Sequence, residues 1–144
     1  MSALGLPVFD KSIETTNAWL QDIMGELGPD RQRAYHALRS VLHALRDRLT
    51  VNEAADLGAQ LPVFVRGVYY EGWTPAKAPA KQRSRDEFVG AVQERIAGAG
   101  VPPINADAAT RAVFAVLTKH CDPGEIADVG AQLPDDLRDM LMAA

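Results

Sequence analysis

A seven-residue sequence occurs twice in this chain and constrains its fold more than any other feature. Residues 56–62 read Asp-Leu-Gly-Ala-Gln-Leu-Pro, and residues 128–134 differ from them only by Val in place of Leu. A Glu precedes and an Arg follows each copy at matching distances: Glu53 and Arg66, then Glu125 and Arg138. Chance rarely produces such matched positions, which are typical of a duplicated structural unit. We therefore predict two related halves.

The spacing of apolar residues predicts helices in both halves. The clearest amphipathic pattern lies between residues 35 and 49, where Leu and Val recur on one face. Thr50 and Glu53 then have the Thr-x-x-Glu spacing of a capping box, which predicts the start of a third helix. Asp122 followed by Pro123 predicts the equivalent cap in the second half. The predicted fold is all-α, a tandem duplication of a four-helix unit with about eight helices packed as a bundle.

Composition divides the chain into four segments. They are an N-terminal arm (1–9), a first helical repeat (10–73), a basic Pro/Ala/Lys-rich linker (74–85) and a second helical repeat (86–144). Gly5 and Pro7 oppose a helix, so we predict an extended arm that packs on the body through Val8 and Phe9. Asp10 is the predicted N-cap of the first helix. The linker is expected to be semi-extended and solvated.

The two halves differ in the helix that follows the repeated sequence. Pro62 and its counterpart are predicted at the first position of that helix, where the missing N–H costs nothing. Gly58 and Gly130 each cost about 1 kcal/mol relative to Ala in a helix, so we predict a close helix crossing there. Residues 63–70 are apolar on nearly all sides, whereas residues 135–142 are amphipathic. The fourth helix is therefore predicted at the centre between the repeats, and the eighth at an edge.

Composition also limits the class of protein. The 144 residues are 47% hydrophobic and 24% charged, which is typical of a globular chain and argues against disorder. The formal charge of −4 argues against a nucleic-acid binder. No apolar run approaches the roughly 18 residues that span a bilayer, and no signal peptide is recognised at the N-terminus. Cys121 stands alone, so we expect no internal disulfide and a reducing cytoplasm. No cofactor is expected.

Several segments together match a known family pattern. They are Leu-His-Ala-Leu-Arg-Asp-Arg-Leu at 42–49, Ala-Gln-Leu-Pro at 59–62, Val-Arg-Gly-Val-Tyr-Tyr-Glu-Gly-Trp at 65–73, Val-Phe-Asp at 8–10 and Thr-Asn-Ala-Trp-Leu at 16–20. This pattern resembles the bacterial family catalogued as domain of unknown function 2267, over most of the chain. The second half departs from this pattern at its end. Residues 141–144 read Leu-Met-Ala-Ala, where the corresponding residues 69–72 of the first half read Tyr-Tyr-Glu-Gly. The resemblance implies a soluble, all-helical bacterial protein, and it implies no activity, substrate or catalytic residue.

Basic residues form a row on the second predicted helix. Spacings of three and four place them on the face opposite the Leu stripe: Arg33, His36, Arg39, His43 and Arg46. Such a row is suited to an acidic partner, a phosphate-bearing ligand or an anionic lipid surface. The alternative is a solvated face whose Arg residues pair with acidic residues of a neighbouring helix. His36 and His43 are two turns apart, so this helix alone is not expected to bind a metal ion.

His120 and Cys121 are adjacent but do not form a predicted nucleophile pair. Neighbouring helical residues point about 100° apart, so the two side chains do not readily meet. Cys121 is predicted as a small core residue, and His120 as a group that interacts with the helix end. No catalytic residue is predicted, and we expect a protein that is not an enzyme.

Aromatic residues cluster after the first copy of the repeat. The candidate ligand wall or partner interface consists of Arg66, Tyr69, Tyr70 and Trp73. The alternative is that these aromatic side chains are buried between the repeats, and that the Arg bonds backbone carbonyls. Gln60 and Gln132 are polar among apolar neighbours, so we predict that their amides satisfy backbone groups at helix ends.

Three functions remain open from the sequence. The leading prediction is a non-enzymatic cytoplasmic protein that binds another protein through the basic row or the aromatic surface. The second is a small-ligand or enzymatic site in a cleft between the repeats. The third is weak nucleic-acid binding through Lys77, Lys81, Arg83 and Arg85 in the linker, which lacks aromatic residues for base stacking. The oligomeric state is left open, and no insertion in a membrane is expected.

Overall fold

The computed structural model describes residues 5–144, and every regular element within that range is helical. The first half contains α1 (Pro7–Leu27), α2 (Arg31–Arg48), α3 (Val51–Gln60) and α4 (Val63–Tyr70). After a 3-10 turn at Pro75–Lys77, the second half contains α5 (Arg85–Gly98), α6 (Ala106–His120), α7 (Pro123–Ala131) and α8 (Asp135–Met142). The predicted all-α fold of eight packed helices is confirmed. None of the helices described here combines the length and the apolar character needed to cross a membrane.

The helices of the two halves pack in matching ways. α2 and α6 contact each other at the centre. α1 packs on α2 and crosses to α6, and α5 packs on α6 and crosses to α2. α3 of the first half contacts α7 of the second. The pattern of contacts is therefore unchanged when the halves are exchanged. The duplication itself stays a prediction from the sequence.

The central helix of the first half is α2, so the prediction that α4 occupies the centre is wrong. Every residue from Ser40 to Arg46 is buried, because α2 is surrounded by α1, α4, α5 and α6. α4 buries Val65, Val68 and Tyr69, and leaves Val63 and Phe64 exposed to 67% and 45%. Its all-round apolar sequence thus reflects an apolar surface rather than burial on all sides.

The first helix starts earlier than the sequence suggested. α1 begins at Pro7, which occupies the first turn after an extended Leu6, a position that suits a residue without an N–H. The predicted arm is therefore wrong for residues 7–9, and Asp10 lies inside the first turn rather than at the N-cap. Val8 and Phe9 are exposed rather than packed on the body. Residues 1–4 of the predicted arm lie outside the described residues.

The ends of α3 and α7 follow the prediction in part. The Thr50 hydroxyl accepts a hydrogen bond from the Glu53 N–H at 3.3 Å, as a capping box requires. Asp122 is at the N-cap of α7, but its side chain makes no capping hydrogen bond. Pro62 and Pro134 are at the N-caps of α4 and α8, one residue before the predicted position.

The close helix contact that we predicted at Gly58 is present in the structure. Tyr70 is the last residue of α4, and its ring lies against α3. A Cβ atom on Gly58 would overlap the phenol of this ring. In the second half, a Cβ on Gly130 would lie 3.3 Å from the aliphatic Cγ of Arg138. The helix contact is therefore tighter in the first half, where an aromatic ring fills the space beside the glycine.

We expect Gly58→Ala to lower the free energy of unfolding by about 1–2 kcal/mol, because Tyr70 must leave its position on α3. Gly130→Ala is the matched control. The flexible Arg138 side chain is able to shift, so the helix propensity of Ala is expected to raise stability by up to about 1 kcal/mol. Chemical denaturation of both variants measures the difference, and equal effects of the two substitutions would contradict this assignment.

Candidate functional site

The first three residues of the predicted basic row are accessible at least in part. Arg33, His36 and Arg39 are half-buried on α2. The Arg33 guanidinium donates to the Pro103 carbonyl at 3.1 Å, and the Arg39 Nε donates to the Glu71 carboxylate at 3.1 Å. These residues fit the alternative of a face that is partly paired with its neighbours.

The last two residues of the row, His43 and Arg46, are buried, so the prediction of a continuous exposed row is wrong. Their exposed fractions are 7% and 4%. The His43 Nε2–H donates to the Val68 carbonyl at 2.7 Å, and burial lowers the pKa of this imidazole. The Arg46 Nη1 donates to the carbonyls of Tyr69 (2.9 Å) and Glu71 (2.8 Å). Both side chains thus satisfy backbone carbonyls at the C-terminal end of α4.

The predicted aromatic site is a packed connection between α3 and α4. Tyr69 is fully buried, and its hydroxyl donates to the Ala54 carbonyl at 2.7 Å. The Tyr70 ring lies 5.0 Å from that of Tyr69 and 5.4 Å from that of Trp73, between ring centroids. The Arg66 Nε donates to the Gly58 carbonyl at 2.9 Å, at the end of α3. These side chains pack and cap helices within the first half rather than line an open cleft between the halves.

Cys121 and His120 occupy separate environments. Cys121 is buried, and burial raises the pKa of its thiol to about 11, which leaves it in the unreactive protonated form. The His120 ring stacks on Trp19 at 5.1 Å between centroids, and its Nε2 lies 3.2 Å from the Asp22 carboxylate. The prediction of Cys121 as a core residue is confirmed, and His120 packs against α1.

The basic linker is attached to the end of α2. The Ala80 N–H donates to the Asp47 carbonyl, and the Arg48 Nε donates to the Gln82 carbonyl at 2.8 Å. Lys77, Lys81 and Arg83 remain exposed, whereas Arg85 forms an ion pair with Asp107. The linker is thus solvated as predicted, but its backbone is fixed at two points.

An exposed apolar surface lies along α1, beside α4 and the start of α2. Two depressions there involve neighbouring residues of α1 and α4, and we call them together the α1–α4 groove. The first, of about 450 Å³, is lined by Thr16, Leu20, Arg31, Gln32, Tyr35, His36 and Phe64. The second, of about 340 Å³, is lined by Val8, Lys11, Ser12, Thr15, Gln60, Leu61, Pro62 and Val63. Phe9 and Ile13, which are also exposed, precede Thr16 on one face of α1 at helical spacing.

Carboxylates meet at the contact between α3 and α7. Carboxylate oxygens of Glu53, Glu125 and Asp128 lie within 4.8 Å of one another. One oxygen of each Glu (Oε1) is buried without a hydrogen-bond partner among the described residues. Burial, followed by a side-chain hydrogen bond with Glu53 and the charge of that carboxylate, raises the pKa of Glu125 to about 7. We call these three residues the carboxylate cluster.

Two glutamines join the same helices beside the carboxylate cluster. The Gln60 amide oxygen accepts from the Asp122 N–H at 3.1 Å, and the Gln132 amide oxygen accepts from the Thr50 N–H at 2.9 Å. Each glutamine therefore satisfies the N-cap backbone of the helix in the other half. The amides do satisfy backbone groups at helix ends, but at N-caps in the other half of the chain rather than at the corner before each Pro, where the prediction placed them.

Sequence reasoning missed the carboxylate cluster. Glu53 and Glu125 were interpreted only as third residues of capped helices. The available signal was their equal placement in the two copies of the repeat, because equivalent residues meet where equivalent helices pack on each other. The α1–α4 groove was missed because Val63 and Phe64 were assigned to the core.

Arg46, at the buried end of the basic row, is expected to contribute strongly to stability. We expect Arg46→Ala to lower the free energy of unfolding by about 2–4 kcal/mol, because it leaves the buried Tyr69 carbonyl and the partly buried Glu71 carbonyl without their donor. Arg39→Ala is the control on the same helix and is expected to change stability little, since its pair with Glu71 is exposed. Urea denaturation compares them; similar losses from both variants would show that Arg46 does not hold α4.

The chain matches the model of a known protein family. The model of the family described as "Uncharacterized conserved protein (DUF2267)" matches residues 16–140. A search of curated proteins finds no match to the chain. The match runs from Thr16 in α1 to Met140 in α8, and so includes most of both halves and the carboxylate cluster. The chain therefore belongs to the DUF2267 family of uncharacterized conserved proteins.

Proposed function

We propose that this protein is a non-enzymatic cytoplasmic module that binds another protein in the α1–α4 groove. The observation that supports this most strongly is the exposure of Val63 and Phe64 at the N-terminal end of α4. Apolar side chains that are gathered on a protein surface commonly mark interaction sites. Exposed apolar residues of α1 continue the surface, including Val8, Phe9 and Ile13.

The start of α8 in the second half can be compared with the start of α4, where this surface lies. Asp135 and Asp136 of α8 occupy the positions that Val63 and Phe64 occupy in α4, directly after the Pro of each repeat. The fold therefore accommodates charged residues at the start of this helix. Packing alone does not explain why the first half places two large apolar side chains there, and binding does.

The shape and charge of the groove favour a helical segment of the partner. A groove lined by helices, here α1, α4 and the start of α2, accepts the apolar face of an amphipathic helix, which is a common mode of peptide recognition. Lys11, Arg31 and His36 lie among the lining residues. They favour a partner helix with acidic residues beside its apolar face. His36 is the member of the predicted basic row that lines this groove.

The other two candidate functions have weaker support. The aromatic residues of the proposed ligand cleft are engaged in packing, and Arg66 is engaged with the carbonyls of α3. The basic linker belongs to a chain with a formal charge of −4. A cytoplasmic location is supported by Cys121, a single buried cysteine without a disulfide partner.

The double variant Val63→Asp/Phe64→Asp tests the proposed groove, since it installs in α4 the residues found at the start of α8. We expect the variant to fold, because both side chains are exposed, and to lose its partner. Tagged protein is used to capture partners from extract of the source organism, with quantitative mass spectrometry. Met142→Asp, at a residue of α8 that is 55% exposed, is the control and is expected to retain the same partner.

Capture of the same protein by the double variant and by the wild-type chain would contradict the proposal. Sedimentation velocity provides the second measurement. If the wild-type chain self-associates and the double variant is monomeric, the groove joins two copies of this chain, and the proposed binding of a different protein is wrong.

A further inference from the structure

The carboxylate cluster differs from the other buried charged groups of the protein. His43 and Arg46, which are also buried, donate hydrogen bonds to carbonyl oxygens at the end of α4. Glu53 is only 9% exposed, and its buried Oε1 has no donor among residues 5–144. A buried carboxylate oxygen without a donor is costly, since burial favours the charged form only where a cation or a hydrogen bond replaces water. The Oε1 atom of Glu53 therefore lacks the donor that a buried carboxylate oxygen requires.

The carboxylate cluster has no ion-pair partner within the described part of the chain. A positive charge from outside the chain is therefore the natural partner of this site.

The geometry points to a divalent cation, and we propose that Glu53, Glu125 and Asp128 bind one at the contact between α3 and α7. Each residue supplies one carboxylate oxygen, and these oxygens lie within 4.8 Å of one another. Three oxygens spaced evenly around one ion are separated by at most about 1.7 times the metal–oxygen distance. That spacing is about 4.0–4.5 Å for Ca²⁺ and about 3.6 Å for Mg²⁺. At the outer limit of 4.8 Å, the three oxygens need a slight closure to bind Ca²⁺ and a larger one to bind Mg²⁺ or Mn²⁺.

The chemistry of the site favours a hard cation with water ligands. All three protein ligands are carboxylate oxygens, which suit Ca²⁺, Mg²⁺ and Mn²⁺ rather than softer metals. Asp128 is exposed, so the site opens to solvent on one side, where water completes the coordination. Glu53 belongs to the first half and the other two residues belong to the second. A bound cation therefore links the halves beside the hydrogen bonds of Gln60 and Gln132.

Mn²⁺ is the probe for the first experiment, because the electron paramagnetic resonance signal of free aqueous Mn²⁺ reports the amount bound. We expect the wild-type chain, first treated with EDTA, to bind one Mn²⁺. Glu53→Gln is expected to weaken binding at least tenfold, and Asp128→Asn, at an exposed residue, several-fold. Glu94→Gln, at an exposed residue of α5, is the control and is expected to bind as the wild type does. Displacement of Mn²⁺ by Ca²⁺ or by Mg²⁺ then identifies the preferred ion.

Thermal unfolding provides a second and independent readout. In EDTA, Glu53→Gln is expected to melt above the wild type, because it removes repulsion between two carboxylates. Millimolar Ca²⁺ is expected to raise the melting temperature of the wild type by several degrees and to leave that of Glu53→Gln unchanged. Equal Mn²⁺ affinity in the wild type and in Glu53→Gln, or no saturable binding by the wild type, would overturn the proposal. The two glutamates would then share a proton instead.

Discussion

The structure is built around residues 40–46 of α2, which are all buried. A helix with this many polar residues reaches the centre only if its polar side chains find partners there. His43 and Arg46 meet this requirement by donating to carbonyls at the end of α4. These bonds hold α4 beside α2, and α4 in turn packs on α1. The position of the α1–α4 groove follows from that arrangement.

The sequence predicted the helices well because their periodicity and end signals are local. The repeated Asp-Leu/Val-Gly-Ala-Gln-Leu-Pro sequence located α3 and α7, and Thr50 correctly marked the start of α3. Positions in the third dimension were harder to predict. Periodicity shows which residues are apolar, but not whether Val63 and Phe64 face a core or a binding surface. It also does not show that the long side chain of Arg46 extends to carbonyls on another helix.

The carboxylate cluster and the α1–α4 groove are related in different ways to the two halves of the chain. Glu53 and Glu125 are equivalent residues of the two halves, and they meet because α3 and α7 pack on each other. The matched hydrogen bonds of Gln60 and Gln132 share this origin. The groove instead arises where the halves differ, at the residues that follow each Pro. One site thus joins the halves, whereas the other distinguishes them.

Site-specific photo-crosslinking in living cells of the source organism shows directly whether a partner protein occupies the α1–α4 groove. A photoreactive phenylalanine analogue replaces Phe64 in the groove in one protein and Met142 on α8 in another, both exposed positions. We predict that the analogue at position 64 crosslinks one discrete partner protein and that the analogue at position 142 does not. Crosslinks to that partner from position 142 alone, or none from position 64 while the partner is bound, would contradict the groove as the binding site.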